Sequence, residues 1–356
     1  MQENNKYLKY LHPFLYLKFI KRTIQLFLKK MKELFMNKHQ KILQFQLSNR
    51  EYAQNHEIRK SFGKKMPDKT FYIIGADEGW CGLFAIVAHQ LTHIAYAVER
   101  GYIPIVDLQN YNNQYLGKEE MFKENAWEYF FQQPMGYGLN DISKAKNVIK
   151  SVFAQDPPDK KYRIGYATTI YDTDAIAYWG EMFKKYVRLN PSSEKKLSSK
   201  YNELLKDRGR VLGVHCRGTD FTTLKPLHHP IQPEPMEVIE KTKKAMEEWH
   251  CDYLYLATED ADIYDLFVKH FGDKLILDDA ARWRITDLSE GKSNSELLSS
   301  SDKLSRYNGG LEYLSQVCLL SQCTCFIGGS TRGTLGVLLM SNGFENYYIY
   351  NLGVYK

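Results

Sequence analysis

The sequence predicts an α/β protein of two Rossmann-like domains facing a cleft, preceded by a basic amphipathic helical arm. Three observations carry that expectation. Short apolar runs, such as residues 211–216 and 253–257, alternate with helical patterns of three or four turns, as strands buried on both faces of a parallel sheet do. This alternation occurs twice, over residues 71–106 and from Gly209 onward, with two helical stretches at 175–186 and 193–205 between. The positive charge, finally, is concentrated in the first fifty residues. We therefore expect an arm over 1–60, an N-terminal α/β domain with a helical bridge over 61–207, and a doubly wound domain over 208–356.

A chain of 356 residues is long enough for two sizeable cores. Apolar residues at 44% and charged residues at 25% are ordinary for a soluble globular protein. The formal net charge is +6, but residues 1–50 hold eleven Lys and Arg against Glu3 and Glu33. The remainder is thus mildly acidic. Within the arm, Ile20, Ile24, Phe27, Met31, Leu34 and Phe35 recur at helical spacing over residues 14–36, among Lys18, Lys21, Arg22, Lys29 and Lys32. Such a helix suits either an anionic membrane surface or packing on a protein body. An acidic body beside large aliphatics argues against nucleic acid.

The six cysteines form no CxxC knuckle, so no metal site is expected and a reducing compartment is. Neither an apolar signal core nor a run of about 20 apolar residues is seen. These features point to a cytoplasmic location, peripheral on the inner membrane face if the arm binds lipid.

The first α/β unit reads strand 71–74, a Gly-rich turn from Gly75 to Gly82, a helix from Leu83, and a strand 103–106. A helix start after Gly82 can face an anion, although Asp77 and Glu78 oppose phosphate at their part of the loop. Residues 110–140 are dense in amides and aromatics. They suit a sugar acceptor, but suit a packed aromatic helix with polar loops better.

In the second unit we expect strands at 211–216, 253–257, 274–277, 324–327 and 347–350. Helices are expected at 236–249, 261–271, 311–320 and from Ser330 to Met340, with a long polar loop over 278–308. Loops of that length are usually lids or disordered. Four successive strands end in polar clusters: Arg217 with Asp220; Thr258, Glu259 and Asp260; Asp278 with Asp279; and Ser330, Thr331 and Arg332. Parallel strands bring such ends to one edge, where α/β sheets bind ligands. Arg217 offers a planar fork suited to a diphosphate. The Gly328-Gly329 turn opens a helix whose N–H groups favour an anion. Together they could pinch a pyrophosphate, while the acidic clusters could hold a metal or a ribose or base edge. Standing alone, His215 in an apolar strand reads as a core histidine.

His215-Cys-Arg217-Gly-Thr-Asp220, followed by His229-Pro230-Ile231, resembles the first signature of the fucosyltransferase superfamily, in its core α1,6 and Nod-factor branch. Residues 254–260 look like its second motif, residues 320–331 its third, and Cys81-Gly82 its N-terminal loop. The resemblance implies a GT-B glycosyltransferase that moves fucose from GDP-fucose to a glycan hydroxyl with inversion, in surface polysaccharide synthesis, with no metal or other cofactor. It implies donor contacts at His215, Arg217, Gly82, Cys81, Thr258, Asp260, Gly329, Ser330, Thr331 and Arg332. Arg217 would neutralise the β-phosphate, and His215 would lie on the guanine side. Lys225 stands where the family carries its proposed catalytic Glu, and Phe221 where it carries the neighbouring Lys. The acidic guanine partner falls on Gln316, one turn from Glu312. Asp220, Glu259 and Asp77 remain as candidate bases. Two alternatives stay open: another nucleotide sugar as donor, or a non-catalytic, membrane-tethered sugar- or nucleotide-binding scaffold.

Overall fold

The computed structural model describes Ile24, 58–75, 79, 81–151, 157, 159–165, 167–218, 225, 227–284, 298 and 301–356. The expected arm helix therefore lies outside the described residues, apart from Ile24, which is helical and exposed. Asp77, Glu78, Asp220 and Phe221 lie outside them as well. The chain divides into two compact units, 1–48 and 49–356, and the second carries the two sheets. No helix among the described residues is long and apolar enough to cross a membrane.

The first sheet has the order β1-β4-β2-β3, from β1 (Ile58–Lys60), β2 (Lys65–Ile74), β3 (Ile103–Val106) and β4 (Ala145–Lys150). β2 runs parallel to both β3 and β4, and β1 pairs antiparallel on β4. Helix α1 (Leu83–Glu99) makes the crossover from β2 to β3. β1 and β4 were not expected from the sequence; residues 58–60, placed in the arm, belong to this sheet.

Two helices, α2 (Thr173–Tyr186) and α3 (Pro191–Leu204), lead to the second sheet. Its strands are β5 (Val211–His215), β6 (Tyr253–Ala257), β7 (Leu275–Ile276), β8 (Cys325–Gly328) and β9 (Asn346–Ile349). All are parallel, in the order β7-β6-β5-β8-β9. The order reverses at β5, so the switch point lies between β5 and β8. The connecting helices are α4 (Pro235–Glu248), α5 (Ala261–Phe271), α6 (Lys303–Ser321) and α7 (Arg332–Met340).

The near-continuous apolar strands split by the period of two. Leu212, Val214, Leu254, Leu256, Cys325 and Ile327 pack with Val238 and Ile239 of α4 and Ile263 and Phe267 of α5. Val211, Tyr255, Ala257 and Phe326 turn to the other face, into a larger core with α6, α7, α2 and α1 that reaches Tyr72 and Ile74 of β2. The two sheets thus share a layer of helices. Close approach there demands glycine: a Cβ on Gly336 of α7 would lie 2.3 Å from Phe84 of α1, and one on Gly310 of α6 would lie 2.5 Å from Phe130.

α6 begins at Lys303, eight residues before its expected start. Asp302 caps it, accepting from the N–H groups of Leu304 and Ser305, as a short acidic side chain at an N-cap does. Gly309-Gly310 resembles a helix break in sequence, but Gly310 serves the close approach to Phe130.

Candidate active site

A cavity of about 500 Å³ opens between the carboxyl ends of β5 and β6 and the start of α1, with α6 as its side wall. From the end of β5 come His215 and, two residues on, Arg217; from the end of β6 come Ala257, Thr258 and Glu259; from the first α/β unit come Gly82 at the start of α1 and Gln114 and Tyr115 of the loop after β3. Trp283 stands at the rim, its N–H bonded to the Glu259 carbonyl and its own carbonyl receiving Ala261 N–H. The volume and the mix of aromatic and polar walls fall in the range of small-molecule sites.

Arg217 is the cation of this wall. Its Nε lies 3.4 Å from Glu259 Oε1, and both side chains are about one-fifth exposed. The same carboxylate oxygen accepts Gly218 N–H at 3.1 Å. Glu259 therefore pairs with the guanidinium and ties down the chain just beyond β5. A Cβ at Gly218 would meet Asp260 Oδ2 at 2.6 Å, so only glycine permits this approach. His229 is half-buried, and its pKa is lowered first by burial and then by the Arg217 charge. The loop bearing it is tied to the chain's end through His228 N–H to Tyr355 O, Ile231 N–H to Gly353 O and Tyr355 N–H to His229 O. Lys225 and His228, neither of them glycine, have φ of 41° and 63°, the kind of strained backbone that collects at functional segments.

The polar clusters at the strand ends do not all reach the cavity. Thr258 and Glu259 line it; Asp260 caps α5 instead, accepting from Asp262 and Ile263 N–H. Asp278 is buried against Arg282 and accepts from Tyr255 Oη, while Asp279 pairs with Lys200 at 2.8 Å. Among the described residues no group of three His, Cys, Asp or Glu is arranged to hold a metal ion.

The sequence suggests a pinch between Arg217 and the 329–332 turn. Gly329, Ser330, Thr331 and Arg332 are not among the cavity's lining residues. Thr331 spends its side chain capping α7, accepting Thr334 N–H at 3.0 Å. Arg332 turns to the Ile164 carbonyl at 3.4 Å. A capped helix start has fewer N–H groups to offer an anion. Of Cys81 and Gly82, Gly82 lines the cavity, and Cys81 contributes its carbonyl as an acceptor for Gln114 Nε2 at 2.9 Å.

The amides of residues 110–133 serve the fold instead of presenting a sugar-binding face. Asn110 bonds both oxygens of Asp107, Asn125 accepts Leu108 N–H, and Gln133 both donates to and accepts from Val106. Gln114 and Tyr115 alone of that stretch line the cavity.

The inward face of α6 was foreshadowed only at Glu312 and Gln316. Ser305, Asn308, Gly309, Glu312, Tyr313 and Gln316 line the cavity, while Leu311, Leu314 and Val317 enter the core. Residues 305, 308, 312 and 316 follow the helical period, a signal hidden by the apparent glycine break. Glu312 accepts Ala281 N–H at 2.7 Å. Its pKa is raised, chiefly by burial; the Ala281 bond and Lys200 oppose the shift, and Asp278 and Asp279 add to it.

No family model matches this sequence, and no curated protein matches it. Among solved structures the chain is similar to the fucosyltransferase NodZ. A crystal structure of NodZ α-1,6-fucosyltransferase co-crystallised with GDP is 14% identical, with a TM-score of 0.44, covering 77% of this chain and 93% of that one. The Bradyrhizobium NodZ structure gives 13%, 0.44, 77% and 94% in the same terms. A structure of POFUT1 in complex with GDP-fucose is 9% identical, with a TM-score of 0.47, covering 81% of this chain and 99% of that one. These are likenesses of fold.

Proposed function

We propose that this protein is a glycosyltransferase that moves fucose from GDP-fucose to a hydroxyl of a glycan acceptor. The observation that carries the reading is the placement of Arg217: a guanidinium paired with Glu259 in a cavity lined by the ends of β5 and β6, by α6 and by loops of the first α/β unit, at the carboxyl end of the strand beside the switch point. In the first signature it stands where the superfamily places its diphosphate arginine.

In this reading the acceptor oxygen attacks the anomeric carbon from the face opposite the diphosphate. The bond from that carbon to the phosphate oxygen breaks, and its electron pair leaves with the diphosphate. Negative charge therefore grows on the leaving group, and a fixed donor aimed at that charge contributes about 3–4 kcal/mol to the transition state. Arg217 is that donor. The acceptor's proton needs a carboxylate. Glu259 Oε1 already faces Arg217 Nε and Gly218 N–H, whereas burial gives Glu312 a raised proton affinity in the same cavity. We assign the proton to Glu312 and the placing of Arg217 to Glu259. Asp220, beyond the described residues, keeps its place in the first signature without a geometric role here. The acceptor belongs to surface polysaccharide synthesis, and the basic arm over 14–36 would hold the enzyme at an anionic membrane face.

Titration calorimetry of the full chain with GDP, followed by a transfer assay with GDP-fucose and a glycan panel, tests the reading. Micromolar GDP uptake with product formation is expected. Uptake without hydrolysis or transfer to any acceptor would favour the non-catalytic scaffold, and silence at millimolar GDP would remove the nucleotide altogether.

A further inference from the structure

The turn between β8 and α7 does not line the cavity, yet it holds a side chain that does. His215 is buried at the end of β5, with its Nδ1 3.0 Å from Thr334 Oγ1 and 3.4 Å from Thr331 Oγ1. A threonine hydroxyl has one hydrogen to give. Thr334 gives its hydrogen to the Gly329 carbonyl at 2.6 Å. Thr331 Oγ1 donates to Thr334 Oγ1 at 3.2 Å and itself accepts Thr334 N–H. Thr334 Oγ1 therefore meets the imidazole with lone pairs alone, so Nδ1 carries the ring's hydrogen.

Burial, and then the charge of Arg217, lower the His215 pKa to about 3. The ring is therefore neutral at ordinary pH, and Nε2 is bare. Nε2 makes no hydrogen bond among the described residues, and the ring forms part of the cavity wall. The first turn of α7 confines it: a Cβ on Gly333 would lie 2.7 Å from His215 Cε1 and 3.3 Å from Nε2. The imidazole can neither charge itself nor swing to a new partner without disturbing the α7 cap.

We propose that Thr334 is a positioning residue that fixes His215 as its Nδ1–H tautomer, so that the cavity wall beside Arg217 offers a lone pair and accepts a hydrogen-bond donor of the ligand. The inference rests on the nucleotide-sugar reading of the cavity, in which His215 is already a donor contact, and adds the residue that sets the polarity it shows to the group it meets. That group is an N–H or O–H, on a base edge or a sugar hydroxyl. A phosphate oxygen there would set lone pair against lone pair, so the anionic part of the ligand belongs to Arg217 and not to the histidine two residues before it. Gln114, from the loop after β3, has the same polarity. Both hydrogens of its Nε2 are taken, by Cys81 O and Tyr115 Oη, each at 2.9 Å, and its buried Oε1 has no partner.

The test uses the full chain labelled with ¹⁵N-histidine, with the His215 signals identified by their loss in His215→Gln. The ligand-free wild type is expected to show an N–H-type Nδ1 and a bare-type Nε2. Thr334→Val, which keeps the shape and removes the acceptor, should move His215 toward the opposite tautomer, and Thr334→Ser should restore it. A bare Nδ1 in the wild type, or an unchanged spectrum in Thr334→Val, would overturn the proposal. In calorimetry with GDP, Thr334→Val should weaken binding about tenfold, the size of one hydrogen bond, while Thr334→Ser stays near wild type. Equal affinity in all three forms would overturn it too. If the wild type takes up no GDP, the nucleotide reading fails, while the ligand-free spectrum still decides the tautomer.

Discussion

β5 and β8 lie side by side in one sheet, and both end in a glycine, hydroxyls and an arginine, yet they do different work. Beyond β5, Arg217 enters the cavity with Glu259 beside it. Beyond β8, Thr331 closes on its own helix and Arg332 leaves toward the Ile164 carbonyl. The difference lies in the segment after each strand. β8 runs within four residues into α7, whose orphan N–H groups take the nearest side-chain oxygen. Nineteen residues separate β5 from α4, so the start of α4 does not claim the polar residues at the end of β5. Polar chemistry at a strand end serves a ligand only where the local backbone has left it unspent.

The largest effect that would break this contrast is an exchange of roles between the two arginines. Arg217→Ala is expected to lower transfer to a few per cent of wild type or less, with far-UV circular dichroism unchanged. Arg332→Ala should keep turnover within about threefold, in line with a surface substitution away from the chemistry. Comparable losses in kcat/KM for both variants would restore the pinch that the sequence suggests. Retention of activity in Arg217→Ala would end the proposed mechanism.

A smaller effect concerns the α6 wall of the cavity. Glu312→Gln should lower kcat by about 10²–10⁴-fold, the usual span for a general base. The sign of the pH dependence comes from the direction of its shift. A base works deprotonated, and burial raises the Glu312 pKa above the ordinary glutamate range, so the wild-type rate should climb with pH through a midpoint above that range. In Glu312→Gln the climb should vanish, leaving a flat, low profile. A kcat–pH profile with the same acid limb in both forms would assign the proton elsewhere.

Much of the second sheet was legible because its strands are short, apolar and separated by helices of ordinary length; all five fall within two residues of expectation. The features that the sequence concealed have physical causes. β4 reads Ala-Lys-Asn-Val-Ile-Lys, and its last residue looks like a surface lysine. Yet Lys150 is fully buried, where desolvation lowers its pKa to about 8 against the opposing pull of Asp107. The charge of Asp107, itself buried with its pKa raised to about 6, makes that burial tolerable. Pair formation across 43 residues of chain leaves no trace in local pattern. The start of α6 was hidden by Gly309-Gly310, and the purpose of Gly310 becomes visible only when Phe130 arrives from the segment after β3. The amides of 110–133 were ambiguous for a related reason. Whether Asn and Gln bind sugar or backbone is decided by what they face, and most of them face Val106, Leu108 and Asp107.

The smallest expected effect tests whether the β8 turn is structural by itself. Thr331→Ala removes the oxygen that accepts Thr334 N–H at the start of α7, and a lost threonine cap costs about 1 kcal/mol, with up to about 2 in strong cases. Urea unfolding should show that loss as a lowered midpoint at constant slope. The Michaelis constant for GDP-fucose should stay within about twofold, because Thr331 meets His215 only at 3.4 Å and the closer partner, Thr334, remains. The two readouts separate the two uses of a hydroxyl at a helix start. A cap that also held the diphosphate would lose stability and donor affinity together, and a tenfold rise in that constant would return Thr331 to the ligand.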